Sequence, residues 1–240
     1  MVDVDVQGLW RYPVKSLGGE ALASAELTLD GVRGDRLVHV AGERGPLTGR
    51  SRHQLLTIPA STGPDGQPLV AGQPWSSDAA ARVVRERGGA DARLRAYDGA
   101  ERFDILNLSV ATAAAVGELG IDIRRLRPNI LIGGDLPPDA ERTWPGRALA
   151  IGDALIGVYA LRHRCIVTTI DPDTGEQDTR VLRRIRERFA NQVTLDSWVI
   201  RPGVISVGDP VVLTDSPALP DRIGGWIVGA PYRIGAGAAA

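Results

Sequence analysis

The sequence predicts a mainly β fold of the α+β class, with a barrel-like core and a few packed helices. Short apolar, β-branched segments recur along the 240 residues and are separated by turns rich in glycine and proline. Clear helical periodicity is confined to two stretches, 110–119 and 180–190. Many short strands with few helices are typical of a barrel-like core on which the helices pack.

The first hundred residues consist mostly of predicted strands. Valines alternate with polar residues over 2–7, which indicates a half-buried strand that continues to a proline in 9–16. Further strands or short extended segments are predicted at 21–29, 37–41, 47–50 and 55–59. The stretch 61–77 is rich in proline and glycine and predicts a loop, whereas 82–96 has no clear pattern.

The second half alternates strands with the two helices. Ser109 precedes the alanine-rich helix of 110–119 as its predicted N-cap, and Gly152-Asp153 marks a hairpin within 148–160. The other strands are predicted at 124–134, 198–201, 204–207 and 211–213. We expect a β-rich region at 1–100, a second domain at 101–214 and a tail rich in glycine, proline and alanine at 215–240.

Composition excludes several classes of function. A net charge of −1 gives no global reason to expect nucleic acid or an anionic membrane as partner. We find neither a signal peptide nor an apolar run of about 18 residues, so a cytoplasmic protein without a membrane partner is expected. A single cysteine excludes an internal disulfide and an iron–sulfur cluster or zinc site made of four cysteines from this chain.

That single cysteine, Cys165, is the first candidate functional residue. It follows Arg162, His163 and Arg164, and nearby positive charge favours a thiolate, which is a metal ligand and a nucleophile. The alternative is a small buried hydrophobic side chain, which describes most free cysteines. The β-branched run 166–170 predicts that Cys165 begins a strand, and the turn Asp171-Pro-Asp-Thr-Gly175 would end it.

Lysine usage singles out a second residue. The chain has 27 arginines and one lysine, Lys15, so the bias looks like a property of the source organism. A lysine retained against that bias is suggestive of a place that requires a compact ammonium or a lower pKa, because the two cations are not interchangeable.

Seven motifs in a fixed order resemble those of one family. They are Tyr12-Pro-Val-Lys-Ser16, Gly34-Asp35-Arg36, Thr48-Gly-Arg50, Ser109 before a helix, Arg127-Pro-Asn129, Arg164-Cys165 with TTIDPDTG, and Gly203-Val-Ile-Ser-Val-Gly-Asp209. Together they resemble the MOSC family, named for the C-terminal domain of molybdenum-cofactor sulfurases. The resemblance covers roughly residues 4–214 and is greatest to the stand-alone members that include the amidoxime-reducing components. It makes 1–100 the MOSC-associated N-terminal region and 101–214 the MOSC domain.

The resemblance implies that Cys165 is both the catalytic residue and the thiolate ligand to molybdenum. It also implies that eight further residues surround the pterin and phosphate of the molybdenum cofactor, namely Lys15, Thr48, Arg50, Ser109, Arg127, Asn129, His163 and Arg164. Structural alternatives remain for two of the motifs. Asp35-Arg36 could be an ion pair that holds two strands together, and Asn129 could satisfy backbone groups after Pro128.

Two positions depart from the family pattern. Arg162 replaces a cysteine that many relatives have, which excludes a mechanism with two thiols. Glu141-Arg142 replaces an acidic pair, and this exchange is expected to change the charge near the cofactor mouth.

The activity implied by the resemblance is the reduction of small N-hydroxylated or N-oxide compounds at molybdenum. A separate reductase, ferredoxin or cytochrome would supply the electrons, because this chain shows no cluster ligands and no G-x-G-x-x-G motif. The main alternative is a cofactor-handling or sulfur-carrier protein with a persulfide on Cys165. Two further alternatives are a pyridoxal-phosphate role for Lys15 and a fold without cofactor that binds a partner.

Overall fold

The computed structural model describes residues 4–97, 102–217, 222–223 and 226–227. It is mainly β with three α-helices in these ranges, which confirms the predicted fold class. The helices are α1 Asp78–Gly88, α2 Ala113–Leu119 and α3 Thr179–Phe189. None of them is long and apolar enough to cross a membrane.

The strands of the described ranges are numbered in chain order. They are β1 Val6–Arg11, β2 Glu20–Leu22, β3 Ser24–Thr28, β4 Gly31–Val32, β5 Val38–Gly42, β6 Gly45–Leu47, β7 Ala60–Thr62, β8 Pro68–Val70, β9 Gln73–Pro74, β10 Arg93–Ala96, β11 Leu108–Thr112, β12 Ile130–Ile132, β13 Arg147–Ile151, β14 Ala154–His163, β15 Gln192–Arg201, β16 Gly203–Ser206, β17 Val211–Asp215, β18 Arg222–Ile223 and β19 Trp226–Ile227.

An eight-stranded sheet forms the centre of the fold. Its strand order is β17-β13-β14-β15-β11-β12-β1-β2, and β11 and β12 are its parallel pair. The backbone N–H of Val6 donates to Asp209 O (2.9 Å) and that of Val211 to Val4 O (2.8 Å), which ties the two sides of the sheet together. The largest core cluster lies against this sheet and includes Leu9, Ile130 and Leu149, each at most 1% exposed.

A second core lies under the first hundred residues. The sheets β10-β5-β6 and β7-β8-β9 pack with α1 around Val14, Val40 and Leu55, all fully buried. An isolated parallel bridge between Val14 and Val38 connects the end of β1 to β5. The Lys15 segment is therefore fixed between the large sheet and this second core.

Helix α3 confirms the predicted helix at 180–190. It begins at the Asp178 cap, which accepts from Arg180 N at 3.0 Å, and buries Ile185 and Phe189. Its arginine face is largely exposed, as the pattern indicates. The other predicted helix starts later than expected, because 110–112 belong to β11 and the helix cap is Thr112, whose hydroxyl accepts from Ala115 N at 3.3 Å. The prediction of a Ser109 cap is wrong.

Two loop and strand predictions are also wrong. Residues Ile166–Thr169 form a 3-10 turn instead of a strand, because the Thr168 and Thr169 hydroxyls donate to backbone carbonyls three residues earlier, at 2.9 and 2.6 Å. The predicted loop of 61–77 contains β7, β8 and β9. Pro64 lies in the turn between β7 and β8, Pro68 is the first residue of a strand and Pro74 is on an edge strand, so none of the three has to supply a ladder N–H.

The hairpin predicted at Gly152-Asp153 is confirmed as the β13–β14 turn. The segment 82–96, which has no clear pattern, contains the end of α1 and all of β10. Of the predicted tail at 215–240, residues 218–221, 224–225 and 228–240 lie outside the described residues.

Candidate functional site

Cys165 opens into a cavity of about 370 Å³, which we call the Cys165 cavity. Seven of the nine residues named from the sequence line it, although they come from distant parts of the chain. They are Lys15, Thr48, Arg50, Arg127, His163, Arg164 and Cys165. A cavity of this size is in the range of small-molecule and cofactor sites.

The position of Cys165 is set by the end of β14. The strand ends at His163, and the Arg164 N–H donates to Asn191 O at 3.0 Å. The Cys165 carbonyl then accepts from the Thr168 N–H (3.1 Å) and hydroxyl (2.9 Å), which closes the 3-10 turn and leaves the thiol half-buried at the cavity wall. The two threonines after Cys165 therefore make the turn, because their hydroxyls bond to the backbone.

Arg50 contacts the thiol from the other side of the cavity. Hydrogen bonding to the Cys165 sulfur raises the pKa of Arg50, and the nearby Asp104 carboxylate acts in the same direction. Thr48 supports this segment, since its hydroxyl accepts from the Arg50 N–H at 3.3 Å.

The Arg164 guanidinium is held by two hydrogen bonds to residues of the protein. One N–H donates to Thr194 Oγ1 at 3.0 Å and another to Leu126 O at 2.7 Å. The Nε is buried and has no hydrogen-bond partner among the residues that the structure describes, so its N–H is available to a ligand acceptor. Burial and, next, the like charge of Arg162 lower the pKa of Arg164 to about 10.

Arg127 is, after Arg164, the second cation of the cavity wall that has no carboxylate partner in the described ranges. Its guanidinium lies over the Tyr12 ring, 4.3 Å from the ring centroid, and burial lowers its pKa to about 10. Its backbone adopts the left-handed region with φ 54°, which is uncommon for a residue other than glycine.

Lys15 and Arg50 both form ion pairs with Asp104. The carboxylate lies 2.8 Å from Lys15 Nζ and 3.2 Å from an Arg50 nitrogen. Burial opposes its ionisation, but Lys15 and Arg50 prevail and lower the pKa of Asp104 to about 2. Asp104 is therefore an anion at neutral pH and lies among the cations of the cavity wall.

The cavity carries an excess of positive charge. Six of its lining residues are cationic, namely Lys15, Arg36, Arg50, Arg127, Arg162 and Arg164. Three carboxylates pair with them in the described part of the chain, namely Asp35, Asp104 and Asp196. With the His163 imidazole left aside, three positive charges remain uncompensated, which favours an anionic ligand.

Backbone strain is concentrated at the same place. Ser16 (φ 71°) and Arg36 (φ 52°) line the cavity and share the left-handed backbone of Arg127. Thr194 (φ 70°) and Asn191 (φ 65°) bond Arg164 from behind. Non-glycine residues persist in this region when the surrounding structure requires them, and such residues cluster at functional sites.

Ser109 and Asn129 lie behind the cavity and do not line it. Both are at most 3% exposed, and Asn129 Oδ1 accepts from the Ser109 N–H at 3.2 Å. Asn129 Nδ2 donates to Trp10 O at 3.2 Å, and Ser109 Oγ lies 3.5 Å from Thr194 Oγ1. In this structure these two polar side chains are used within the protein, next to the residues that hold Arg164.

Glu141 is not at the cavity mouth, so that expectation is wrong. Its side chain is fully buried, where it accepts from the Thr194 N–H at 2.6 Å and lies 3.4 Å from the Thr112 hydroxyl. Burial raises the pKa of Glu141 to about 7. Glu141 therefore supports Thr194, which in turn holds Arg164.

Three charged lining residues are not among the ligand-binding candidates that the sequence indicates. Arg36 was assigned to an ion pair, which it forms with buried Asp35, but its guanidinium also reaches the cavity. Arg162 was noted for the cysteine it replaces and pairs with Asp196 at 2.5 Å. Asp104 belongs to no motif, because its role depends on the approach of Lys15 and Arg50 in space.

Comparison with known proteins identifies the family of the chain. The family model of the MOSC domain matches residues 98–212, and the model of the MOSC N-terminal beta barrel domain matches residues 3–100. The chain therefore belongs to the MOSC-domain proteins.

Its relatives include proteins of named activity. "Mitochondrial amidoxime-reducing component 1" of Mus musculus and of Homo sapiens are each 27% identical to the chain, over 87% of its length and 82% of theirs. The crystal structure of the YUAD protein from Bacillus subtilis matches 90% of this chain and 100% of its own, with a TM-score of 0.51 and 15% identity. This last likeness shows a shared fold.

Proposed function

We propose that the chain binds a molybdenum cofactor in the Cys165 cavity and uses it as an oxidoreductase. The observation that carries the proposal is a half-buried thiol at the wall of a cavity with three uncompensated positive charges. A cofactor with a thiolate-accepting metal at one place and a phosphate at another matches both features.

The donor set of the protein fits such a group. No cluster of three or more His, Cys, Asp or Glu side chains that could hold a metal ion occurs in the described ranges. A metal on Cys165 therefore requires further ligands from outside the chain, which the sulfur atoms of a pterin dithiolene provide. The unpartnered Arg164 Nε and the Arg127 guanidinium offer donors to the organic part of the cofactor.

Each lining residue then has a defined task. Cys165 would supply the thiolate, and the Arg50 guanidinium lies close to its sulfur. Arg127 and Arg164, which have no carboxylate partner in the described ranges, add positive charge for the phosphate, and Arg164 is held rigidly by Thr194 and Leu126. Anchored donors bind without first losing conformational freedom.

We infer that the substrates are small N-hydroxylated or N-oxide compounds. The similarity to proteins named as amidoxime-reducing components supports this substrate class. When bound, the cofactor would supply two-electron chemistry that removes the oxygen atom, while the chain orients the cofactor and restricts access. Electrons would come from a separate reductase, ferredoxin or cytochrome, since one cysteine cannot hold a four-cysteine iron–sulfur cluster.

The first test is the molybdenum and pterin content per chain after expression in a host that makes the cofactor. We expect about one molybdenum per chain in the wild type and a marked loss, or an altered metal spectrum, in Cys165→Ser, since the thiolate ligand is missing. Thr62→Ser, in β7 and outside the cavity, is the matched control and should retain the metal. Absence of both molybdenum and pterin from the wild type would contradict the proposal. Turnover of benzamidoxime with candidate donors then tests the activity.

A sulfur-carrier role is the second candidate, because Cys165 is partly accessible and the nearby Arg50 cation would also stabilise a persulfide anion. Mass spectrometry of the isolated protein separates the two. A persulfide on Cys165 in protein that holds no molybdenum and reduces no substrate would favour the carrier role.

A further inference from the structure

A second cavity, of about 340 Å³, lies beside the Cys165 cavity. We call it the Trp10 cavity. The two cavities share three wall residues, Leu56, Arg127 and Val167. Trp10 from β1 and Ile58 lie on other parts of the wall, so the second cavity has an aromatic and aliphatic part beside its charged residues.

The polar groups of the Trp10 cavity are nearly all paired. Arg124 bonds Asp173 at 2.7 Å and Asp122 at 2.6 Å, and Arg125 bonds Asp171 at 2.8 Å. Hydrogen bonds to Asp173 and then to Asp122 raise the pKa of Arg124. Its positive charge is therefore already paired within the protein. Two of the three arginines in the wall are therefore neutralised.

Arg127 is the exception in that wall. No carboxylate of the described ranges pairs with it, and its main contact is the face of Tyr12. Tyr12 is itself fixed, because its hydroxyl donates to Pro128 O at 3.1 Å and its ring is 3% exposed. The guanidinium is thus a preorganised donor at the edge of the aromatic and aliphatic part of the cavity.

We propose that the Trp10 cavity is a second ligand site, which binds a planar aromatic acid. The aromatic part would lie against the Trp10 and Ile58 walls, and the carboxylate would pair with Arg127. The proposal concerns a cavity other than that of the proposed function, and the two share Arg127. Because Arg127 lines both cavities, a ligand in one changes the charge that the other presents.

Three probes of one shape and different charge test the proposal, namely 2-naphthoate, 2-naphthamide and 2-naphthamidine. Isothermal titration calorimetry on the full chain should give the tightest binding for the acid. We expect its affinity to exceed that of the amide by at least about tenfold, because a charge-assisted bidentate pair is lost with the amide. The amidine should bind most weakly, since its charge repels Arg127. Equal affinities, or a preference for the amidine, would overturn the proposal.

Two tryptophan variants locate the site. Ala21 is exposed and lines the Trp10 cavity but not its neighbour, whereas Ile105 lines the Cys165 cavity but not the Trp10 cavity. Ala21→Trp should abolish binding of 2-naphthoate, and Ile105→Trp should leave it unchanged within about twofold. The reverse result would place the acid in the more positive Cys165 cavity and overturn the proposal.

A charge variant tests the role of the arginines without disturbing the core. Asp173→Asn removes one of the two carboxylates on Arg124 at an exposed position, so it should tighten 2-naphthoate binding by about threefold or more. Arg127→Gln should weaken it by about tenfold, with folding verified by thermal denaturation. An Asp173→Asn protein that binds more weakly than the wild type would count against the proposal.

Discussion

Lys15 Nζ lies 2.8 Å from the Asp104 carboxylate, so the single lysine of the chain is already neutralised by a residue of the cavity wall. Arg50 contacts the same carboxylate at 3.2 Å. Two cations that could hold an anionic ligand are therefore occupied by an internal anion. Any phosphate that reaches them must share these cations with Asp104 or displace it.

Asp104→Asn should increase the affinity of the cavity for inorganic phosphate. The amide keeps the size of the side chain and removes its charge, which leaves Lys15 and Arg50 free for the ligand. We expect an increase of about five- to tenfold at low salt, measured by isothermal titration calorimetry.

Asp215→Asn is the matched control for that measurement. It removes the same charge from a carboxylate that is 98% exposed, pairs with Arg147 and does not line the cavity. Phosphate affinity should stay within about twofold of the wild type. Equal effects of the two substitutions would mean that net charge, not the local site, controls phosphate binding.

Arg164→Lys separates positive charge from the geometry of the guanidinium. The lysine retains the charge but cannot reach both Thr194 Oγ1 and Leu126 O, which Arg164 bonds at 3.0 and 2.7 Å. We expect phosphate affinity to fall by about tenfold and the free energy of unfolding to fall by about 1–2 kcal/mol, because a buried carbonyl loses its donor. Calorimetry and urea denaturation measure the two effects.

Arg186→Lys, on the exposed face of α3, is the control for both readouts. Its free energy of unfolding should change by no more than about 0.5 kcal/mol. If Arg164→Lys behaves like this surface variant, the anchoring of Arg164 has no role in the site.

Local patterns predicted much of the fold. The β13–β14 hairpin and α3 depend on signals within a few residues, namely Gly152-Asp153 and the apolar period of 180–190. The turn after Cys165 was missed because Val167, Thr168 and Thr169 favour strands by propensity, whereas the threonine hydroxyls bond the backbone instead. Propensity does not show which alternative the tertiary structure selects.

The residues of the candidate site show the same difference between local signals and long-range packing. The family motifs identified seven residues that line the Cys165 cavity, because each motif can be recognised within a short segment of sequence. It did not distinguish Ser109 and Asn129, which lie behind the wall, from Arg127, which forms it. It also missed Asp104, because pairing between Lys15 and Asp104 is decided by long-range packing.

Ala190→Gly should stabilise the fold. Ala190 ends α3 in the left-handed region with φ 50° and is exposed, so a side chain is strained there without packing in return. Glycine removes that strain, and we expect the free energy of unfolding to rise by about 0.5–1 kcal/mol in urea denaturation. Ala114→Gly, inside α2, provides the opposite case and should destabilise by about 1 kcal/mol. Destabilisation by both substitutions would show that the cap conformation is not strained.

Glu141→Gln should change how stability depends on pH. Burial raises the pKa of Glu141 to about 7 in the folded chain, from an ordinary value of 4.5. Between these values the folded chain holds a proton that the unfolded chain releases, so stability falls as pH rises. The stabilising contribution of the protonated carboxyl is complete below about pH 4.5 and lost above about pH 7, and it amounts to roughly 3 kcal/mol at most.

The glutamine variant lacks this titration, so its free energy of unfolding should decline less than that of the wild type between pH 4.5 and pH 7. Glu86→Gln, exposed on α1, makes the same change in charge and should follow the wild-type curve. Urea denaturation at a series of pH values measures all three proteins. If the free energy of unfolding changes with pH in parallel for the wild type and Glu141→Gln, Glu141 is ionised throughout the series. The group that accepts from Thr194, which in turn bonds Arg164, would then be a carboxylate at every pH.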